Sequence, residues 1–397
     1  MLPPHRLTER QHRAARAALE HPQPAPSAPR VEQRKVSMIG YSVDRNTAHI
    51  VCLVDALVAR ATNRTPRDPL AREYADRGKL FAALGHSALM GLSRDRGLHP
   101  DQNSAEVIRL ALTTADYANA LRTAWNAVMA PAYTTARSIS RLLAARRDFA
   151  DFRETNVLRP GEFPTPTRVG ESGEVKSVTF TENGEIGQLA TYASILALSR
   201  PALINDEVGL FGQLAESAAL ACVAREEEVF FSMLTSGTAS NGPTLRDAAQ
   251  LFASSRGNLA ASGSAISTTP IGVARAAMLN QSSPSGVAGV AVPKFLVCSP
   301  SLVTLAEVEL SKLSAGADPS TRIVPIAAPS LGASTAWYLV SDPAQHPAFV
   351  YGYWAGASGP IVSAQADWAS EGMRFKVDLD YAVAVASPLA IYRNPGA

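Results

Sequence analysis

Past residue 100 this chain is almost without histidine: of 7 in 397 residues, residues 101–397 hold one, His346. General acid–base work near neutral pH leans most often on imidazole. An enzyme hidden here would have to use His346, in the loop sequence SDPAQHPAF, or an unusual base. The nucleophile elbow Gly-x-Ser-x-Gly is missing too, since its nearest approach, Gly356-Ala357-Ser358-Gly359-Pro360, ends in proline. There is no Gly-x-x-x-x-Gly-Lys-Ser/Thr, no strand-linked Gly-x-Gly-x-x-Gly and no His/Cys/Asp cluster at metal-ligand spacing. No catalytic, cofactor-binding or metal-binding residue is therefore assigned. The three cysteines, Cys52, Cys222 and Cys298, lie far apart, which fits a reducing compartment and ordinary buried thiols. No apolar run approaches the ~20 residues that span a bilayer, and the first residues lack a charged, then apolar, then small pattern. The expectation is a soluble, non-secreted protein without a membrane partner. Lysine is scarce as well: 6 of 37 basic residues, the rest being arginine, suited to bidentate pairing with carboxylate or phosphate.

What is present is a large apolar content. At 46% hydrophobic and 18% charged residues, the chain is globular and long enough for two or three domain-sized units. Its net charge of +2 conceals an asymmetry. Residues 1–150 carry 22 Lys+Arg against 13 Asp+Glu, and the remainder 15 against 22, so a basic arm precedes an acidic body. Such an arm suits nucleic acid, and a solvated helical face gives the same count.

Residues 1–35 mix charge with proline (HPQPAPSAPR) and cannot bury enough apolar surface to offset their ordering entropy. Apolar positions recur at helical spacing in 49–61 and 78–92, separated by the linker NRTPRDP. A further helical stretch begins near Asp101, and Pro131 predicts two or three helices there in place of one. The strongest helix pattern runs from Asn205-Asp206, an N-cap signal, through Val208, Phe211, Leu214, Ala218, Cys222, Val229, Phe230 and Met233 to a C-cap glycine, Gly237. Its roughly 28 residues would span about 42 Å, a structural spine. Ser267–Leu279 and Ser301–Leu313 read as helices. Pro293–Cys298 and Ala336–Val340 read as strands, and the alternation Phe375, Val377, Leu379, Tyr381 reads as a long terminal strand. Together these give an α+β body without internal repeats.

Between the helices lies ESGEVKSVTFTENGEIGQLATY, residues 171–192. Apolar and polar residues alternate through Phe180, Asn183-Gly184 supplies a turn signal, and Ile186, Leu189 and Tyr192 follow, so the segment reads as a β-hairpin. A ribbon this polar is too poor in apolar surface to stand alone and must lie against something. The run Glu226-Glu227-Glu228 points around its helix, so a solvated or subunit-facing patch is expected rather than one shared site. Trp354, with Tyr351 and Tyr353, forms an aromatic cluster among glycines; packing is the default reading, a ligand pocket the alternative.

The order LTTADYANALRTAW, DFRE, the polar hairpin ending QLATYASILALSRPALINDEVGLF, the long helix ending VFFSMLTSG, and the terminal GMRFKVDLDYAVAVASPLAIYRNP resembles the major capsid proteins of tailed phages with the Hong Kong 97-type fold. The resemblance is strongest to the branch in which a prohead protease is fused upstream of the capsid sequence. It covers about residues 104–397, with 188–211 its most specific part; the protease's Ser and His have no counterpart in the sequence.

The resemblance implies an N-terminal extension over 1–103, linker or scaffold-like and removed or disordered, and a helical arm over 104–150. It implies an extended loop over 151–200, a peripheral domain over 201–268 and 366–397 with the spine helix, and an axial domain over 269–365. The hairpin would be the loop that reaches across a neighbouring subunit, with Lys176, Glu182, Asn183, Gly184 and Glu185 in intersubunit contact and Glu182 and Glu185 at its tip meeting a neighbour's arginines. Some relatives cross-link a loop lysine to a distant asparagine; Lys176 is the only lysine of this loop, and that chemistry is not carried to this chain. The implied function is a structural shell subunit, not an enzyme, forming pentamers and hexamers of an icosahedral head. Its implied partners are further copies of itself, a portal, a prohead protease, a scaffold and packaged double-stranded DNA, with the virion as location and assembly in the host bacterial cytoplasm. An encapsulin-like cellular shell and an enzyme using the Trp354 loop are the alternatives.

Overall fold

A computed structural model describes residues 45–74, 115–158, 184–198, 210–282, 291–314, 322–357, 359–367 and 372–397. The chain divides into two units, residues 1–45 and 46–397, and the first lies outside the described residues except for its last. The elements of the second, in order, begin with helices α1 (Arg45–Ala61), α2 (Pro69–Tyr74), α3 (Ala115–Thr135) and α4 (Ile139–Leu143). Strands β1 (Ala144–Arg146), β2 (Thr155–Leu158), β3 (Gly184–Gly187) and β4 (Ala190–Leu198) lead to the long helix α5 (Leu210–Leu234). Then come α6 (Thr268–Leu279), β5 (Pro293–Cys298), α7 (Val303–Ser314), β6 (Val324–Ala327), β7 (Trp337–Ser341), β8 (Phe349–Tyr353), β9 (Ile361–Asp367), β10 (Gly372–Val385) and β11 (Ile391–Asn394).

Two sheets organise these elements. In the first, strands follow the order β1-β8-β10-β4, and β9 also pairs with β10. The alternation read in the terminal sequence decides which face is covered. Phe375, Val377, Leu379 and Tyr381 of β10 are buried, in one core with Leu121, Trp125 and Met129 of α3 and Ala215, Ala219 and Val223 of α5. Trp125 stacks on Phe375 with ring centroids 4.6 Å apart. The second sheet, β11-β7-β5-β6, pairs β5 with β6 in parallel through the crossover helix α7 and all else antiparallel. Its core gathers Trp337, Tyr338, Leu339, Leu296 and Ile326 with Ile271 and Met278 of α6. Phe230, Phe231 and Leu234 at the far end of α5 join this second core, so one helix serves both. At 1.5 Å per residue, its 25 residues span about 38 Å.

The N-terminal helices are part of the body. Leu53, Ala56 and Val58 of α1 and Ala71 of α2 are buried in the first core, and a Cβ on Gly212 of α5 would stand 2.7 Å from the Cβ of Ala61. The expectation of disorder is therefore corrected for 45–74: these residues are folded, because their apolar stripe has a partner. The predicted helix at 78–92 lies outside the described residues, as do the N-cap residues Asn205 and Asp206.

The described part of this stretch holds two helices, α3 and α4, as expected, but the break falls at 136–138 and not at Pro131. Helix α3 continues to Thr135, because the proline falls in its last turns and forfeits only one backbone donor there. The Thr134 and Thr135 hydroxyls then bond back to the carbonyl of Pro131. Gly237, expected to cap α5, lies three residues beyond its end at Leu234 and with ψ −178° is outside the left-handed helical conformation, so it opens the next turn instead of capping the helix. Thr235 N–H reaches the carbonyl of Phe231 at 2.9 Å, and Gly237 adopts φ 74° with its α-carbon close against the carbonyl of Gly242, where a side chain would collide.

Candidate functional site

Of the five loop residues singled out in the sequence, Lys176, Glu182 and Asn183 lie outside the described residues. The other two are not at a hairpin tip. Gly184 and Glu185 belong to β3, which pairs antiparallel with β2 in the register Leu158↔Gly184 and Thr155↔Gly187. Glu185 is buried, and its Oε2 accepts the backbone N–H of Arg246 at 2.9 Å. The Arg246 guanidinium in turn donates to Asn156 Oδ1 at 3.2 Å. Turn chemistry at Asn183-Gly184 suggested the tip; strand pairing across 25 intervening residues instead makes Glu185 part of the base of the loop.

The acidic run on α5 also departs from expectation. Glu228 is exposed and pairs with Arg225 at 2.9 Å, while Glu227 Oε1 accepts from Ser138 Oγ and the Ser140 N–H, each at 2.9 Å. Glu226 is completely buried. Its carboxylate takes a hydrogen bond from Tyr133 Oη of α3, another from Tyr353 Oη of β8 at 3.1 Å, and an ion pair with Arg141 of α4 at 2.9 Å. The Arg141 guanidinium lies 4.2 Å from the centre of the Tyr133 ring. The helical rotation that separates the three glutamates sends the first between the two cores, where a buried charge is tolerated only with such partners. Burial pushes the Glu226 carboxyl above its ordinary value against the pull of its donors. Burial and then the Glu226 charge push the Tyr133 hydroxyl up, keeping it a proton donor. The node joins four elements, α3, α4, α5 and β8, through the Glu226 carboxylate.

His346 is buried, with Nε2 3.0 Å from Ser387 Oγ, itself fully buried. Trp354 is partly exposed, its ring packed so closely over Gly356 that a Cβ there would stand 2.7 Å away. Burial raises the thiols of Cys222 and Cys298 to about 11. Among the described residues no group of three or more His, Cys, Asp or Glu is placed to hold a metal ion. No helix among them is long and apolar enough to cross a membrane.

The surface offers a different kind of site. Strand β4 has β10 on one side and no described strand on the other. Beneath it, between β4, β10 and α5, runs a groove of about 360 Å³ lined by Thr191, Tyr192, Ser194, Ala218, Cys222 and Arg225. Sequence reading placed only the first residues of this strand, as the end of a hairpin, and missed its edge position, which depends on pairing with the distant residues 373–381.

A body tied together internally, with its open feature a sheet edge, belongs to the class of structural proteins that act through contacts. A family model described as phage capsid protein matches residues 182–394, more than half the sequence, and the chain belongs to that family. It is a capsid subunit, a component of the phage head, with an α+β body. Solved structures resemble it remotely. A phage-related protein from Bordetella bronchiseptica is 14% identical over 67% of this chain and 95% of its own, with a TM-score of 0.43. The procapsid protein of bacteriophage JBD30 is 16% identical over 72% and 76%, with a TM-score of 0.42. An encapsulin from Synechococcus elongatus is 13% identical over 64% and 85%, with a TM-score of 0.42. No curated protein matches. The family match, not these remote likenesses, carries the assignment.

Proposed function

We propose that this chain is the major subunit of a tailed-phage head, assembling into pentamers and hexamers of an icosahedral shell around double-stranded DNA. The observation that carries the reading is the family match over 182–394, the stretch that holds α5, the second sheet, the first sheet apart from β1, and the open edge. In this reading residues 201–268 and 366–397, with α5, form the peripheral domain, residues 269–365 the axial domain, and residues 151–200 the loop that meets a neighbour. Lys176, Glu182 and Asn183 remain its proposed contact residues, with Gly184 and Glu185 anchoring its base. Many weak contacts repeated around closed rings add into a stable shell, because each is made at high effective concentration. Portal, prohead protease and scaffold are the partners during assembly in the host cytoplasm, and the arginine-rich arm touches DNA without sequence preference, so that binding falls steeply with salt.

The experiment is the solution mass of the purified chain by light scattering, with and without residues 1–44. Megadalton particles are expected. A chain that stays monomeric or dimeric in both forms, with portal and scaffold supplied, overturns the reading, and particles filled with protein cargo in place of DNA point to the encapsulin alternative.

A further inference from the structure

We infer that the outer edge of β4 pairs antiparallel with the β4 edge of a second copy of this chain, joining two sheets into one across a two-fold axis. The inference rests on the capsid reading above and adds the place and register of one contact.

An edge strand presents a row of unpaired backbone donors and acceptors, and natural proteins blunt such edges with charge, proline, bulges or short length. Strand β4, ATYASILAL, is 9 residues long and carries no charge, proline or glycine. Other described strands with an open edge are shorter or blunted: β9 has 7 residues and ends in Asp367, and β1 has 3 and ends in Arg146. Strand β6 has 4 residues and contains Pro325. The outer edge of β11 is covered within the chain, where Ala260 N–H bonds the Arg393 carbonyl and Arg393 N–H bonds the Asn258 carbonyl, each at 2.9 Å. Only β4 keeps a long, uncharged edge among the described strands, and its outward face shows Thr191, Ala193, Ile195 and Ala197, with Ile195 64% exposed.

Charge decides the occupant and its direction. Beside β4 on the same outward face, β10 presents Arg374, Lys376, Asp378 and Asp380 in sequence, two positive then two negative, opposite Ala197, Ile195, Ala193 and Thr191 respectively. If two β4 edges pair antiparallel with Ser194 opposite its own copy, Ala197 faces Thr191 of the second copy and Ile195 faces its Ala193. Each row across the joined sheet then runs from a cation to an anion: Arg374 toward Asp380 of the second copy, Lys376 toward its Asp378. Three strand spacings, about 14 Å between α-carbons, separate the ends of a row, and the cationic side chains extend over Ala197 and Thr191 in one row and over Ile195 and Ala193 in the other. Parallel pairing of the same edge would instead turn the second copy's sheet over and bring its buried face, with Phe375 and Val377, to the solvent side. Within one chain Lys376 already pairs with Asp378 at 2.8 Å, and Thr191 donates to Asp380 at 2.6 Å. The anionic end is thus held in place before a second copy arrives. The contact is isologous, the kind that closes a two-fold axis, and differs from the head-to-tail contacts that close rings.

Two variants test it in the full chain. Ile195→Lys places a charge on the edge at an exposed site, so circular dichroism and the melting temperature of the unassembled subunit should hold while particle yield by light scattering falls about tenfold or more. Ser194→Cys combined with Cys222→Ala, which removes the groove thiol, should give disulfide-linked dimers in oxidised particles, seen on a non-reducing gel. Parent and Ile195→Lys chains assembling alike, without the covalent dimer, overturn the inference and leave the capsid reading standing. Loss of assembly in Ile195→Lys without the covalent dimer means the edge takes another occupant, and overturns the two-fold pairing. Failure of the parent chain itself to form particles overturns both.

Discussion

Glu226 shows how a single side chain can be misread and why. The sequence EEE looks like surface, and for Glu228 it is; the helix rotates Glu226 into the seam between two cores, where Tyr133, Arg141 and Tyr353 meet it. Those partners come from positions 93, 85 and 127 residues away, so no local pattern announces them. Glu226→Ala leaves Arg141 without its counter-charge and should cost about 3–5 kcal/mol by chemical denaturation. Glu226→Gln keeps an acceptor for the two tyrosines and should cost less. The pH dependence has an unusual sign. Because burial raises this carboxyl's folded pKa, its stabilising contribution is fully present below the unfolded value and is lost as pH climbs through the raised one, opposite to a surface-paired aspartate. Glu226→Gln should therefore flatten the decline in stability on the alkaline side of that range, measured as unfolding free energy against pH. At Gly237, φ 74° and the adjacent Gly242 carbonyl predict that Gly237→Ala lowers stability by about 1–3 kcal/mol, whereas Gly272→Ala, with open space around its Cβ position, should be nearly neutral or stabilising.

At the scale of elements, periodicity was informative wherever one face is buried. The strand at Pro293–Cys298 and the helix near Ser267–Leu279 fall where apolar spacing placed them. It failed where tertiary partners decide: Pro131 was outweighed by the packing of Tyr133 and Met129 on either side of it, and the tip assigned to Gly184 proved to be strand. The edge of β4 was illegible for the same reason, since alternation reports faces and not neighbours. The N-terminal helices give this scale its prediction. Removing residues 1–44 should leave the melting temperature unchanged, because nothing of the two described cores is lost. Extending the deletion through residue 74 strips Leu53, Ala56, Val58 and Ala71 from the first core and should lower it by several degrees or cause aggregation. Gly212→Leu, which drives α5 away from Ala61, should reproduce part of that loss by scanning calorimetry, while equal melting of all three proteins would show that α1 adds nothing to the body.

For the whole molecule, the two larger cores gather around the two larger sheets, with a smaller cluster of Phe149, Val157, Leu189 and Val350 beside them. Yet α5 contributes Ala215, Ala219 and Val223 to one and Phe230, Phe231 and Leu234 to the other without a break in its backbone. A shared rod of this kind ties the fates of its two ends. Melting either core would strip half of the helix of its apolar cover, and a helix of a dozen residues without tertiary support is marginal in water. The two sheets should consequently denature as one cooperative event, seen as a single calorimetric peak whose van't Hoff and calorimetric enthalpies agree. A cut in the middle of α5, and not one between the sheets elsewhere, should split that peak in two.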